Sequence, residues 1–188
     1  FKQCTGAVAG ALHVVGSSLR AEDCEISNNT GLTAAGAIYA GDATLSLEGC
    51  TLAANEGALG ALFATTSSVG LHRCLLSLNA PEGAVHLIQC EAEVSCSDIY
   101  GNEGGDWDHG VEAFAESGGN FSQPPFFCDV ELGVYTLSST SPCLPMNNPC
   151  HVLIGTHGEG CVLTAAPVAP ALLSLVQNYP NPFNPSTA

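Results

Sequence analysis

Along the first hundred residues, apolar and small side chains recur in short alternating runs separated by glycine-containing turns, and no run is long enough to make an amphipathic helix. One element returns four times, as Gly10-Ala11-Leu12-His13, Gly36-Ala37-Ile38-Tyr39, Gly60-Ala61-Leu62-Phe63 and Gly83-Ala84-Val85-His86. Each copy leads into an alternating strand that reaches a cysteine: Leu19 to Cys24, Leu45 to Cys50, Val69 to Cys74 and Ala92 to Cys96. These cysteines step by 26, 24 and 22 residues, and the first three are each followed five residues later by an asparagine, Asn29, Asn55 and Asn79.

A period of about 20 to 29 residues admits a leucine-rich repeat or a coil of a parallel β-helix. The runs here are short and rich in Gly, Ser and Thr, which leaves no room for a helix in each repeat and favours the β-helix. The expected fold class is therefore all-β: a right-handed parallel β-helix, a solenoid whose coils bury their inward side chains only by stacking on one another. On this reading Cys24, Cys50, Cys74 and Cys96 stack as one ladder, packed as small hydrophobes without need of disulfides. Asn29, Asn55 and Asn79 stack as a second ladder in a turn, where Asn tolerates a left-handed backbone and bonds to its neighbours.

Past Cys96 the pattern changes, so coils are expected over residues 1–105. Residues 106–163 are expected to form the last partial coils and a cap, because a solenoid end leaves an unpaired strand and an open core. Trp107, Phe114, Phe121, Phe126 and Phe127 lie in this second segment, as do Cys128, Cys143, Cys150 and Cys161. Those four cysteines could form two bridges in three ways, with Cys143 to Cys150 the preferred pair. Residues 164–176 read as an Ala/Pro linker, and residues 177–188 as a stiff, extended proline-rich tail.

Charge narrows the partners. Lys2, Arg20 and Arg73 are the whole basic complement against 18 acidic residues, a formal net charge of -15. Such a chain cannot replace the counterions of a nucleic acid, nor dock on anionic lipid through basic clusters. Ten cysteines without zinc-type CxxC pairs point to an oxidising, extracellular setting. The chain starts at Phe1 without a signal sequence, which is read as a piece of a longer exported protein. Its longest apolar stretch, Val162 to Val176, is too short and proline-broken to span a membrane, which takes about 20 residues.

The Gly-Ala-aliphatic element with Cys24-x-Ile26-x-x-Asn29 resembles the repeats of polymorphic outer-membrane-protein β-helices, surface adhesins of pectate-lyase-like fold. The segment from Asp98 to Cys161 is similar to the closing region of large secreted bacterial β-helix proteins. The string Gln177-Asn178-Tyr179-Pro180-Asn181-Pro182-Phe183-Asn184-Pro185-Ser186-Thr187 resembles the opening of type IX secretion sorting domains. That resemblance implies export by the type IX machinery to the outside or outer surface of a Gram-negative-type bacterium.

Candidate chemistry is sparse. Lyases of the pectate type need a basic residue beside a carboxylate, usually with calcium, but Arg20 and Arg73 are isolated and read as solvated. Glu103, Asp106 and Asp108 cluster around Trp107 and His109 and are the candidate calcium ligands, or an acid pair beside a sugar-stacking ring. His13, His72, His86, His109, His151 and His157 are scattered, and no residue is assigned a catalytic role. The expected function is a non-catalytic surface β-helix serving adhesion, glycan binding or as a stalk, without an obligatory cofactor. The alternative is the C-terminal part of a polysaccharide lyase or glycoside hydrolase whose active site lies upstream.

Overall fold

A computed structural model describes residues 1–161. The expected linker and the sorting-type motif, Asn178 to Pro185 included, lie outside the described residues.

Each coil runs through strands of two, four, five and three residues, in that order. The two-residue strands are β1 (Thr5–Gly6), β5 (Thr30–Gly31), β9 (Glu56–Gly57) and β13 (Ala80–Pro81). The four-residue strands are β2 (Leu12–Val15), β6 (Ile38–Gly41), β10 (Leu62–Thr65) and β14 (Val85–Ile88). The five-residue strands are β3 (Ser18–Glu22), β7 (Thr44–Glu48), β11 (Ser68–His72) and β15 (Glu91–Ser95). The three-residue strands are β4 (Glu25–Ser27), β8 (Thr51–Ala53), β12 (Leu75–Ser77) and β16 (Asp98–Tyr100). Like strands stack on like, in register and in parallel, into four sheets, so the architecture is a parallel β-solenoid.

Alternation within each strand explains the core. Leu45, Leu47, Val69, Leu71 and Val94 point inward and are buried, while their strand neighbours face out. Each fully buried Leu, Ile or Val contributes roughly 1.5 to 3 kcal/mol relative to exposure. The glycine of the repeated element serves close approach, since a Cβ on Gly36 would sit 2.7 Å from the Glu56 backbone nitrogen. In the first coil, Leu12, Val14, Leu19 and Ala21 stay only half buried, where Ile38, Ala40, Leu45 and Leu47 below them are sealed.

The two ladders differ from the sequence expectation in their last rungs. Glu25, Thr51, Leu75 and Asp98 share a register, so the residue preceding each is Cys24, Cys50, Cys74 and then Ser97 rather than Cys96. The Ser97 hydroxyl completes the stack by accepting the Cys74 N–H at 3.0 Å. Cys96 takes the preceding corner, which Asp23, Gly49 and Arg73 also occupy with positive φ, and it bonds to Cys150. The asparagine ladder is longer than expected. Nδ2 of Asn29 donates to Oδ1 of Asn55 at 2.9 Å, Asn55 to Asn79 at 3.0 Å, and Asn79 to Asn102 at 2.8 Å. Asn102 then donates to Asp106, whose carboxylate also takes the Gly101 and Asn102 N–H groups and so terminates the stack.

Residues after Tyr100 do two jobs. The stretch to Phe121 makes an irregular fifth turn: Gly83, Leu87 and Cys96 donate their N–H groups to Glu103, His109 and Gly118. Trp107, Val111 and Phe114 close the core there, with a short 3-10 turn at Glu112–Phe114. The rest doubles back along the outer face of the three-residue sheet, where Leu137, Cys143 and Ile154 cover Leu75. It carries β17 (Phe127–Asp129), β18 (Val134–Ser138) and β19 (Glu159–Cys161). Thr156 bonds to Thr51, Tyr135 accepts from Asn28, and His157 reaches Glu25 at 2.6 Å. The expected cap is thus an end plug followed by a flank strap. Cys143 and Cys150 are not joined: Cys128 pairs with Cys161, Cys150 with Cys96, and Cys143 is a buried free thiol. Cys150 must reach the outward corner, whereas Cys143 faces the apolar strap interior.

Replacing Asn55 by Ala strands the buried Asn29 N–H, leaves the Asn29 amide with only the Phe1 carbonyl, and takes a donor from the Ile26 carbonyl and from Asn79 Oδ1. A urea titration of Asn55→Ala is expected to show a loss of about 3 kcal/mol or more, at about one to three for the stranded N–H and about one for each further hydrogen bond lost. An exposed Asn28→Gly control, which keeps the left-handed backbone at φ 55° available, is expected to lose less than about 1.5 kcal/mol, the worth of its single hydrogen bond to Tyr135.

Candidate ligand-binding groove

The strap covers the three-residue sheet, but the outer face of the five-residue sheet is bare. Alternation sends Ser18, Arg20 and Glu22 outward from β3, Thr44, Ser46 and Glu48 from β7, Ser68, Gly70 and His72 from β11, and Glu91, Glu93 and Ser95 from β15. In-register stacking aligns these into rows, one of which reads Arg20, Ser46, Gly70, Glu93. The face is polar throughout.

Gly70 breaks that row. It sits mid-strand, has no left-handed backbone, and a Cβ built on it would approach nothing closer than Leu45 O at 3.9 Å. Neither turn geometry nor packing requires glycine, which weakens a strand by about 0.5 to 1 kcal/mol. The missing side chain opens a shallow trough of about 400 Å³ lined by Ser46, Glu48, Gly70, His72, Glu93 and Ser95. A smaller hollow over Glu91 and Glu93 lies on the same face, and another of about 480 Å³ lies at its edge beside Ser18, Thr44 and Ser68.

Fixed polar contacts shape the trough. His72 Nδ1 lies 2.9 Å from Ser95 Oγ. Glu48 is shared by Arg20 at 3.3 Å and Arg73 at 3.6 Å, and Arg73 also holds Asp23 at 2.8 Å. Partial burial of Arg73 works against its charge, but the Asp23 and Glu48 carboxylates outweigh this and raise its pKa. A Ser–His pair beside a carboxylate has the parts of a nucleophilic relay. The carboxylate, however, is engaged by the two arginines, and the strand N–H groups that would hold an oxyanion are committed to the sheet. The arrangement suits binding to hydroxyl groups.

The sequence-predicted acids are elsewhere. Asp106 is consumed by the end of the asparagine ladder, with Ser122 as a further donor. Glu103 and Asp108 do not converge with it, and among the described residues no three His, Cys, Asp or Glu side chains form a metal-holding group. His109 stacks on His86 at 4.6 Å and ends an exterior row of rings, His13, Tyr39, Phe63, His86 and His109, on the four-residue sheet. Burial, with His109 alongside, lowers the His86 pKa. Arg20 and Arg73 are ion-paired rather than merely solvated. Of the trough residues only His72 stands among the sequence-based candidates, although a glycine at the centre of an outward row becomes visible once coils are aligned in register.

No protein-family model matches the chain, and no curated protein or solved structure is significantly similar to it. Its placement among parallel β-solenoids stands on strand register and core alone.

One strongly perturbed carboxyl lies outside the trough. Asp98 is fully buried under the strap, accepting from the Gln123 N–H at 3.1 Å and the Cys143 thiol at 3.3 Å. Burial pushes its pKa up from the ordinary 3.8 to about 7. The folded chain therefore holds a proton that the unfolded chain has released between those values. Asp98 accordingly favours folding at low pH, and that stability is lost as pH rises through about 7. Denaturation of wild type between pH 4 and pH 8 is expected to show a loss on the order of 4 kcal/mol that Asp98→Asn lacks. Parallel slopes in the two proteins would show that other groups carry the dependence.

Proposed function

We propose that this chain is a non-catalytic, surface-exposed segment of an exported β-helix that binds glycans along the bare face of its five-residue sheet. The observation that carries the reading is Gly70, which keeps a polar trough open at a stability cost that no feature of the fold explains. Hydroxyls and carboxylates from β7 and β15, with the His72 imidazole between them, line it, the donors and acceptors a sugar chain requires, and a rigid sheet presents them without rearrangement.

Export is the second part of the proposal. Two disulfides support an oxidising compartment, and they tie the strap to the solenoid end and to itself. The likeness of residues 177–187 to type IX sorting domains supports delivery to the outer surface of a Gram-negative-type bacterium, where a stacked, strap-braced solenoid serves as a stalk or adhesin. Within this reading the relation to pectate-lyase-like and polymorphic outer-membrane-protein β-helices is one of shared architecture, and the type IX machinery is a transient partner.

Calorimetric titration with a panel of glycan oligomers is expected to find a ligand whose affinity falls about tenfold or more in Gly70→Val, a change that fills the trough. The same variant should unfold at a denaturant concentration no lower than wild type, because a Cβ fits and valine favours strands. Undiminished binding in Gly70→Val, or release of reducing ends by the wild-type chain, would sink the reading. Peptide mass mapping of protein secreted by the native host is expected to recover the Cys96–Cys150 and Cys128–Cys161 linkages. Recovery of all ten cysteines as free thiols would overturn the oxidising compartment that the disulfides support.

A further inference from the structure

Charge is distributed unevenly along the trough, and this bears on which glycans it takes. Of the carboxylates facing out from the five-residue sheet, Glu22 and Glu48 are neutralised by Arg20 and Arg73. Glu91 and Glu93, both exposed on β15, have no Lys, Arg or His within ion-pairing distance among the described residues. Glu93 is the register partner of Gly70, so a chain lying in the gap above Gly70 passes against this carboxylate, with Glu91 two residues away on the same face.

We infer that the groove selects glycans bearing free amino groups, such as runs of glucosamine, over acetylated, neutral or uronic acid chains. This rests on the glycan-binding reading above. An ammonium placed over Gly70 would pair with Glu93 while ring hydroxyls meet Ser46, Ser95 and His72. A uronate would set its own carboxylate against Glu93 in a protein of net charge -15, where repulsion is not offset by any free cation on this face. A lysine-rich peptide also carries ammonium groups, but its side chains lack the ring hydroxyls that Ser46, Ser95 and His72 would engage.

The test is a titration of oligomers of glucosamine, N-acetylglucosamine, glucose and galacturonic acid, and of oligolysine, at low and high salt. The proteins are wild type, the double variant Glu91→Gln/Glu93→Gln, and Gly70→Val. Wild type is expected to bind glucosamine oligomers about tenfold or more tightly than the acetylated ones at low salt, with the gap narrowing at high salt. In the double variant the ratio is expected to fall to within about twofold, as it should if those two carboxylates create the preference. Equal or tighter binding of the acetylated, neutral or galacturonic acid oligomers overturns the amine preference while leaving glycan binding standing. Oligolysine bound as tightly as glucosamine overturns it in favour of a peptide partner. Failure of every saccharide to bind removes the glycan reading itself and this inference with it.

Discussion

Axial stacking is the constraint on which everything else in this molecule depends. A coil of small residues has too little apolar surface to fold alone, so it is held by the coils on either side. The asparagine column enforces the alignment from within. Each amide donates to the next Oδ1 and accepts from the one before, and it also satisfies the turn backbone at both levels. A one-residue slip would break that column and turn the inward leucines outward together, because strand side chains alternate. Both ends of the column are matched. Cys4 donates its N–H to Asn29 at the first coil, and Asp106 absorbs the terminal donors at the last.

With register fixed, the outer faces are free to diverge. The three-residue sheet is roofed by the strap, which brings Leu137, Cys143 and Ile154 over Leu75 and buries Asp98 in a place where ionisation is disfavoured. The four-residue sheet carries a row of interlocked rings, each packed on the next and thus largely engaged in stabilising cross-strand contact. The five-residue sheet remains, polar and uncovered. Only there does a residue without a structural reason, Gly70, interrupt an otherwise regular row. The scarcity of cations sharpens the contrast. Two arginines neutralise the carboxylates of the first coils, and the fourth coil is left with acids alone.

The repeat was legible because it is written in side-chain chemistry at nearly constant spacing. Where that spacing and side-chain identity disagreed, sequence reading followed identity. Cys96 looked like the fourth cysteine rung, yet the coil advances 23 residues at that point, as the Asn79 to Asn102 contact does, and places Ser97 in the stack. Had the five-residue offset from the first three cysteines to their asparagines been applied to Ser97, Asn102 would have appeared as the fourth amide. The cysteines of the strap were misjudged for a different reason. Nearness in sequence suggested Cys143 with Cys150, but the strap turns between them, sending one thiol into its interior and the other toward the corner at Cys96.

The amino-acid sequence by itself determined the all-β repeat, the inward and outward alternation, the stacked cysteine and asparagine positions of the first three coils, and the strongly acidic surface. These are properties of local periodicity and composition, which need no knowledge of distant contacts. Tertiary structure alone decided which sheet the last forty described residues would cover, which cysteines would meet, and which polar row would stay open to solvent. Each of those outcomes depends on residues some 45 to 107 positions apart being brought together, as Asp98 is with Cys143 and Asn28 with Tyr135. No short-range pattern encodes such meetings, because they are settled by which packed arrangement buries the most apolar surface without stranding a polar group.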